Sequence, residues 1–174
     1  MARIELIKEE NMTPEQKAQY ERFPSNLSRG LLIAKNLYEG YAALGAALRY
    51  TDLSAKDREF VIVRVGYMSK SEYELMQHKN LALGQGWTTD DIAAIAQNNL
   101  EHFDKRMSTI LKFVNECVEN IKVSTDTFKA AREYLSEGEI AELTLLIGHY
   151  MMTARFLETL EIDLDDAPTS WGNV

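Results

Sequence analysis

The stretch "SAKDREFVIVRV", residues 54–65, decides between two folds. Its second half, "FVIVRV" (60–65), is β-branched and apolar, and taken alone it suits a strand. Three features read it as a helix instead. Ser54 offers an N-cap with Asp57 in the first turn, where the helix dipole favours an acid. No hairpin partner follows nearby in the sequence. Phe60, Val63 and Tyr67 recur at helical spacing. The expectation is a buried helix over about 55–69.

Helix starts and stops are legible on both sides of it. "TPEQ" (13–16) is a capping box, Thr13 with Gln16, and carries Pro14 at the first helical position. "TTDD" (88–91), "STDT" (124–127) and "SEGE" (136–139) mark further starts, the last pairing Ser136 with Glu139. "GQG" (84–86) can end a helix in a left-handed glycine. Prolines stand only at 14, 24 and 168, so nothing breaks the long middle. The predicted helices lie near 14–22, 30–50, 55–69, 71–84, 89–98, 103–121, 125–135 and 137–160, an all-α chain.

"LSAKDREFVIVRVGYM" (53–68) and "LSEGEIAELTLLIGHYM" (135–151) echo one another. Each has a Leu-Ser start, an acid three residues after the serine and a glycine twelve after it. The pattern suggests two similar helices packed together. The helix over 137–160 is apolar almost all round in its middle, which suits a central or interfacial position. Burying it fully in a monomer of this size is hard, so a homo-oligomer is expected.

At 174 residues the chain has the length of one domain, enough to bury roughly 70% of its unfolded surface. It is read as a single all-α domain over 1–174, with an N-terminal extension of about 1–30 and a core of about 50–160. Hydrophobic residues make up 45% and charged residues 26%, a globular composition. The net charge is −8 and no basic cluster occurs, which argues against a nucleic-acid partner. The single cysteine, Cys117, builds neither an intramolecular disulfide nor a cysteine-based zinc site, and reads as a small buried hydrophobe. The N-terminus lacks the apolar core of a signal peptide, and the longest apolar run is too short and polar to span a bilayer. A cytoplasmic protein with no membrane contact is expected.

The chemistry concentrates in "SKSEYELMQHKN" (69–80). On a helix, Glu74 and His78 are stacked neighbours at i, i+4, on a stripe with Ser71, Leu75, Leu81, Ala82 and Gln85. Polar groups on an apolar stripe face a core or a pocket, where a carboxylate beside an imidazole can fix its tautomer. The same spacing also describes an ordinary surface pair worth about 0.2–0.5 kcal/mol. A metal site is a third reading, but the nearby sequence supplies no convincing further ligands. His149 and Tyr150 read as core or interface residues, His102 as a solvated residue, Trp87 as packing beside a helix cap, and Met107, Met151 and Met152 as core fillers.

Residues 53–96 resemble the core motif of the carboxymuconolactone decarboxylase family, which includes alkyl hydroperoxidase D-like proteins. Arg58-Glu59 stands early in a helix, an apolar run follows, and "SEYE" precedes His78. Residues 136–160 resemble the family's last helix through their Ile-Gly-x-Tyr. The resemblance covers most of 50–160. It implies a multi-helix orthogonal bundle of the alkyl hydroperoxidase D-like type, assembled as a dimer, trimer or hexamer. Peroxidase-type members carry Cys-x-x-Cys before the histidine; those two places here are Ser71 and Glu74, so that thiol chemistry is not expected. Decarboxylase members carry Glu-x-x-x-His, which Glu74 and His78 satisfy. The resemblance implies a cofactor-independent and metal-free enzyme acting on a small anionic substrate, a carboxylated lactone or oxo acid. In that reading His78 is the general acid/base, Glu74 orients it and Glu59 is a second acid/base. Tyr73 lends a hydroxyl or a pocket wall, and Arg58 and Arg64 hold a substrate carboxylate. The alternatives are a non-catalytic oligomeric binding or stress-associated protein, and a divergent peroxidase-like reductase.

Overall fold

The computed structural model describes residues 2–34 and 36–169. Among these the regular structure is all helical: α1 (Pro14–Arg22), α2 (Asn26–Leu31), α3 (Leu37–Ala47), α4 (Ala55–Ser69), α5 (Glu72–Gly84), α6 (Thr89–Gln97), α7 (Lys105–Asn120), α8 (Thr125–Arg132) and α9 (Glu137–Thr159), with short 3-10 turns at Glu9–Asn11, Leu32–Ala34 and Leu100–His102. The chain divides into two compact units. One comprises 1–50 with 155–174; the other is 51–154.

In the first unit the capping box forms as its spacing predicts: Gln16 N–H donates to Thr13 and Thr13 N–H donates back to the Gln16 side chain. The helix expected over 30–50 does not run straight. Ser25 accepts from the Ser28 N–H and starts α2 at Asn26. The chain then tightens into the 3-10 turn and restarts as α3. Leu31, the last residue of α2, and Leu32, the first of the 3-10 turn, are both buried. Asn26 also bonds the C-terminal segment, its N–H donating to Asp165 and its amide to the carbonyls of Asp163 and Leu164.

The second unit is built around α4, which packs against α5, α6 and α7. Phe60, Val61, Ile62, Val63 and Val65 are all buried. A helix covered on every side shows no amphipathic period, which is why its apolar run looks like a strand. Phe60 meets Trp87 and Phe103 in an aromatic cluster, and Trp87 Nε1–H donates to the Lys56 carbonyl at 2.8 Å. Asp57 and Arg106 join α4 to α7 through two parallel hydrogen bonds of 2.9 and 2.8 Å. Burial alone would raise the Asp57 carboxyl; the Arg106 and Ser54 hydrogen bonds and the charge of Arg106 outweigh it and hold it below the usual carboxylate range.

α4 ends with Lys70 in the left-handed region (φ 54°), where the Ser71 N–H reaches the Gly66 carbonyl and the Lys70 N–H the Tyr67 carbonyl. That double closure is a Schellman motif without its usual glycine. Only Lys70 and Ser71 separate α4 from α5, so the two helices fold tightly back on each other. They touch at Gly66, where an added Cβ would sit 3.1 Å from Leu75 Cδ2 and 3.6 Å from Glu74 Cβ. α5 stops as "GQG" predicts: Gly86 takes φ 87° and the Trp87 N–H returns to the Ala82 carbonyl. The two echoed segments are tied together as well, because Glu142 of α9 accepts the N–H groups of Asp52 and Leu53 just before α4.

Candidate active site

The α4–α5 contact determines which side chains meet. Gly66 faces Glu74 and Leu75. Glu59 lies seven residues before Gly66, two helical turns along the same face of α4, and His78 lies one turn beyond Glu74 on α5. In this packing His78 Nδ1 stands 2.9 Å from Glu59 Oε2, and His78 Nε2 stands 3.6 Å from Glu74 Oε2. The first is a hydrogen bond; the second is a close charge contact. Side-chain exposures of 5% for His78, 5% for Glu74 and 14% for Glu59 place all three out of bulk water. This is no solvated i, i+4 pair. Each imidazole nitrogen faces a carboxylate, and a shielded setting of this kind strengthens those contacts.

The buried face of α5 is wider than the sequence stripe. Ser71, Tyr73, Glu74, Gln77, His78 and Ala82 are buried, while Leu75 and Leu81 are half-buried and Gln85 is exposed. Tyr73, 2% exposed, joins the core from the first turn. Ser71 is fully buried and its hydroxyl has no hydrogen-bond partner among the described residues.

The two arginines go elsewhere. Arg58 Nη1 donates to the Leu53 carbonyl at 2.9 Å, closing the turn before α4. Arg64 is buried: Nε donates to Asn115 Oδ1 at 2.7 Å, and one Nη donates to the carbonyls of Ile95 and Ala96 at 2.8 and 3.2 Å. Its fork thus caps the C-terminal end of α6 and ties α4 to α6 and α7. The sequence offered Arg64 as a substrate ligand; in the fold its donors serve protein acceptors. Arg64→Met is expected to lower stability by about 2 kcal/mol, since it strands buried acceptors. Chemical denaturation checks this; an unchanged midpoint would show that the three bonds contribute nothing.

α9 supplies what the sequence reading set aside. The Tyr150 ring packs perpendicular to His78 with centroids 5.0 Å apart, and perpendicular to His149 at 5.3 Å. His149 is buried; burial, aided by the charge of His78, pushes its pKa down to about 4. The adjacent pair "HY" inside an apolar helix was the available signal. His102 bonds Asp91 at 2.6 Å, in a partly exposed pair on another part of the unit. Cys117 is buried on α7, and burial pushes its thiol up, away from the reactive thiolate. Met107 and Met151 are core residues, but Met152, turned about 100° from Met151 around α9, is exposed. Among the described residues no group of three or more His, Cys, Asp or Glu is arranged to hold a metal ion, and no helix is long and apolar enough to cross a membrane.

Comparison with known proteins gives this geometry its context. Residues 35–116 match the model of the carboxymuconolactone decarboxylase family. No curated protein matches the chain. Among solved structures, a peroxidase-related protein with an alkylhydroperoxidase AhpD core from Ralstonia eutropha JMP134 superposes with a TM-score of 0.81 at 15% identity, over 95% of this chain and 93% of that one. The debrominase Bmp8 gives 0.76 at 12% identity, over 94% and 92%. An AhpD-related protein from Agrobacterium tumefaciens gives 0.70 at 14%, over 75% and 91%. Identities this low speak for the fold alone. With Ser71 and Glu74 at the two redox positions and Cys117 far along the chain, the cysteine pair is absent. The fold is therefore AhpD-like, residues 35–116 match the carboxymuconolactone decarboxylase family model, and the Cys-x-x-Cys motif is absent.

Proposed function

We propose that this protein is a cofactor-independent enzyme that performs acid–base chemistry on a small carboxylated lactone or a related oxo acid. The observation that supports it is the convergence of Glu59, His78 and Glu74, at 2.9 and 3.6 Å, in a site shielded from water. Loss of CO₂ from such a substrate leaves a dienolate. That intermediate needs a donor for its developing negative charge and then a proton on carbon. In this reading His78 delivers the proton, Glu59 fixes the ring through Nδ1, and Glu74 balances charge at Nε2. In this reading Tyr73 forms a wall of the site. The reaction runs in the cytoplasm on this reading.

The test is turnover of a panel of carboxylated lactones and oxo acids by wild type and His78→Ala. Equal rates in both remove His78 from the mechanism.

A homo-oligomer belongs to the same proposal. Leu145 and Met152, 59% and 46% exposed, lie two turns apart on one face of α9, and a partner copy would cover them. Sedimentation at micromolar concentration is expected to give a species larger than 19.8 kDa. A stable monomer overturns this part.

A further inference from the structure

Two carboxylates restrain the His78 ring unequally. Glu59 is hydrogen-bonded to Nδ1 at 2.9 Å, whereas Glu74 stands 3.6 Å from Nε2, beyond hydrogen-bond reach. One anchored nitrogen leaves the plane of the ring free to tilt about it. A third contact comes from α9. The Tyr150 ring stands at 90° to the imidazole with centroids 5.0 Å apart, inside the range of about 4.5–7 Å for an edge-to-face pair. Tyr150 is itself held in place. The His149 ring stands perpendicular to it on the same helix, at 5.3 Å. Leu146, Ile147, Met151 and Ala154, its neighbours on α9, are all buried. Thr153 donates its hydroxyl to the His149 carbonyl at 2.9 Å, so a side chain adds to the backbone bonds of this turn.

We propose that Tyr150 is a positioning residue of the site, whose ring, rather than its hydroxyl, fixes the tilt of the His78 imidazole. The placement rests on the geometry; its consequence for turnover rests on the acid–base reading above. The groups that meet His78 then act in different directions. Glu59 from α4 sets where Nδ1 points, Glu74 from α5 faces Nε2, and Tyr150 from α9 limits rotation of the ring plane. Proton delivery to carbon depends on direction, because the N–H must point at the receiving atom. A ring that tilts keeps its proton and its carboxylates but aims the N–H elsewhere. Loss of Tyr150 therefore acts on the chemical step and leaves substrate binding in place.

Tyr150→Phe keeps the ring and Tyr150→Leu removes it. With any panel compound that the wild type turns over, Tyr150→Phe is expected to stay within about threefold of the wild-type kcat, and Tyr150→Leu to lose about 10- to 100-fold with KM little changed. Equal losses in both variants would assign the effect to the hydroxyl, and a raised KM at constant kcat would assign the ring to substrate binding. Either result overturns the proposal. A second readout needs no substrate. The chain has three histidines, so nitrogen-15 NMR resolves their rings, and His102, bonded to Asp91, serves as the internal control. The signature of the Nδ1 bond between His78 and Glu59 is expected to persist in Tyr150→Phe and to weaken in Tyr150→Leu while His102 is unchanged. Tyr150→Met, a second ringless variant, replaces Tyr150→Leu if that protein unfolds. An intact Nδ1 signature without the ring would make Tyr150 a packing residue and overturn its role. A wild type inert toward the whole panel would sink the acid–base reading, and the spectra would still decide what holds the imidazole.

Discussion

Replacing His78 with alanine is expected to lower kcat/KM on an accepted substrate by roughly 10²–10⁴, the usual span for loss of a general acid or base. The physical basis is its double contact. One nitrogen is hydrogen-bonded to Glu59 at 2.9 Å and the other faces Glu74 at 3.6 Å, so the ring cannot turn without giving up a carboxylate. Alanine also leaves two shielded carboxylates without the imidazole between them, an arrangement that drives one of them to take a proton. Glu59→Gln separates orientation from proton transfer. The amide keeps the size and a hydrogen bond but loses the charge, so kcat is expected to fall with KM little changed. A variant in which KM rises and kcat holds would assign Glu59 to substrate binding instead.

Stability is expected to fall as pH drops from about 6.5 to about 4, by on the order of 3 kcal/mol, because of His149. Above pH 6.5 the ring is neutral in both the folded and unfolded chains and adds no pH slope. Between the unfolded value of 6.5 and the folded value of about 4, the unfolded chain takes up a proton that the folded chain refuses. Acid therefore favours unfolding across that window. Below it both states are protonated and this loss is complete. The Asp57 carboxyl, held low by Arg106, adds its own loss in a separate window below its unfolded value. Denaturant titrations at pH 7, 5.5 and 4 on wild type and His149→Gln isolate the histidine's share. Equal slopes in the two proteins would mean that His149 is not held neutral by burial.

Much of the fold was legible because the chain writes its helix ends in local chemistry. Thr13, Ser54, Thr88, Ser124 and Ser136 each accept a backbone N–H three residues on, as their spacing predicts. Gly86 ends α5 in the left-handed region that the sequence marks for it. A cap is formed within four residues, so no tertiary information is needed to see it. The break between α2 and α3 was not legible in the same way, because no side-chain cap marks the start of α3.

The candidate site divides along the same line. The sequence by itself determined that Glu74 and His78 stand one above the other, since a single helix fixes that spacing. It also determined that no dithiol can form at Ser71 and Glu74. Only the tertiary structure decided that Glu59 meets His78, because that contact requires α5 to close on α4 at Gly66. It decided equally that the Arg64 fork caps α6, and that Tyr150 of α9 comes against the imidazole of α5. These contacts join residues 19 to more than 70 positions apart in the chain. Helical periodicity carries information over one or two turns, and the packing of helices against one another supplies the rest.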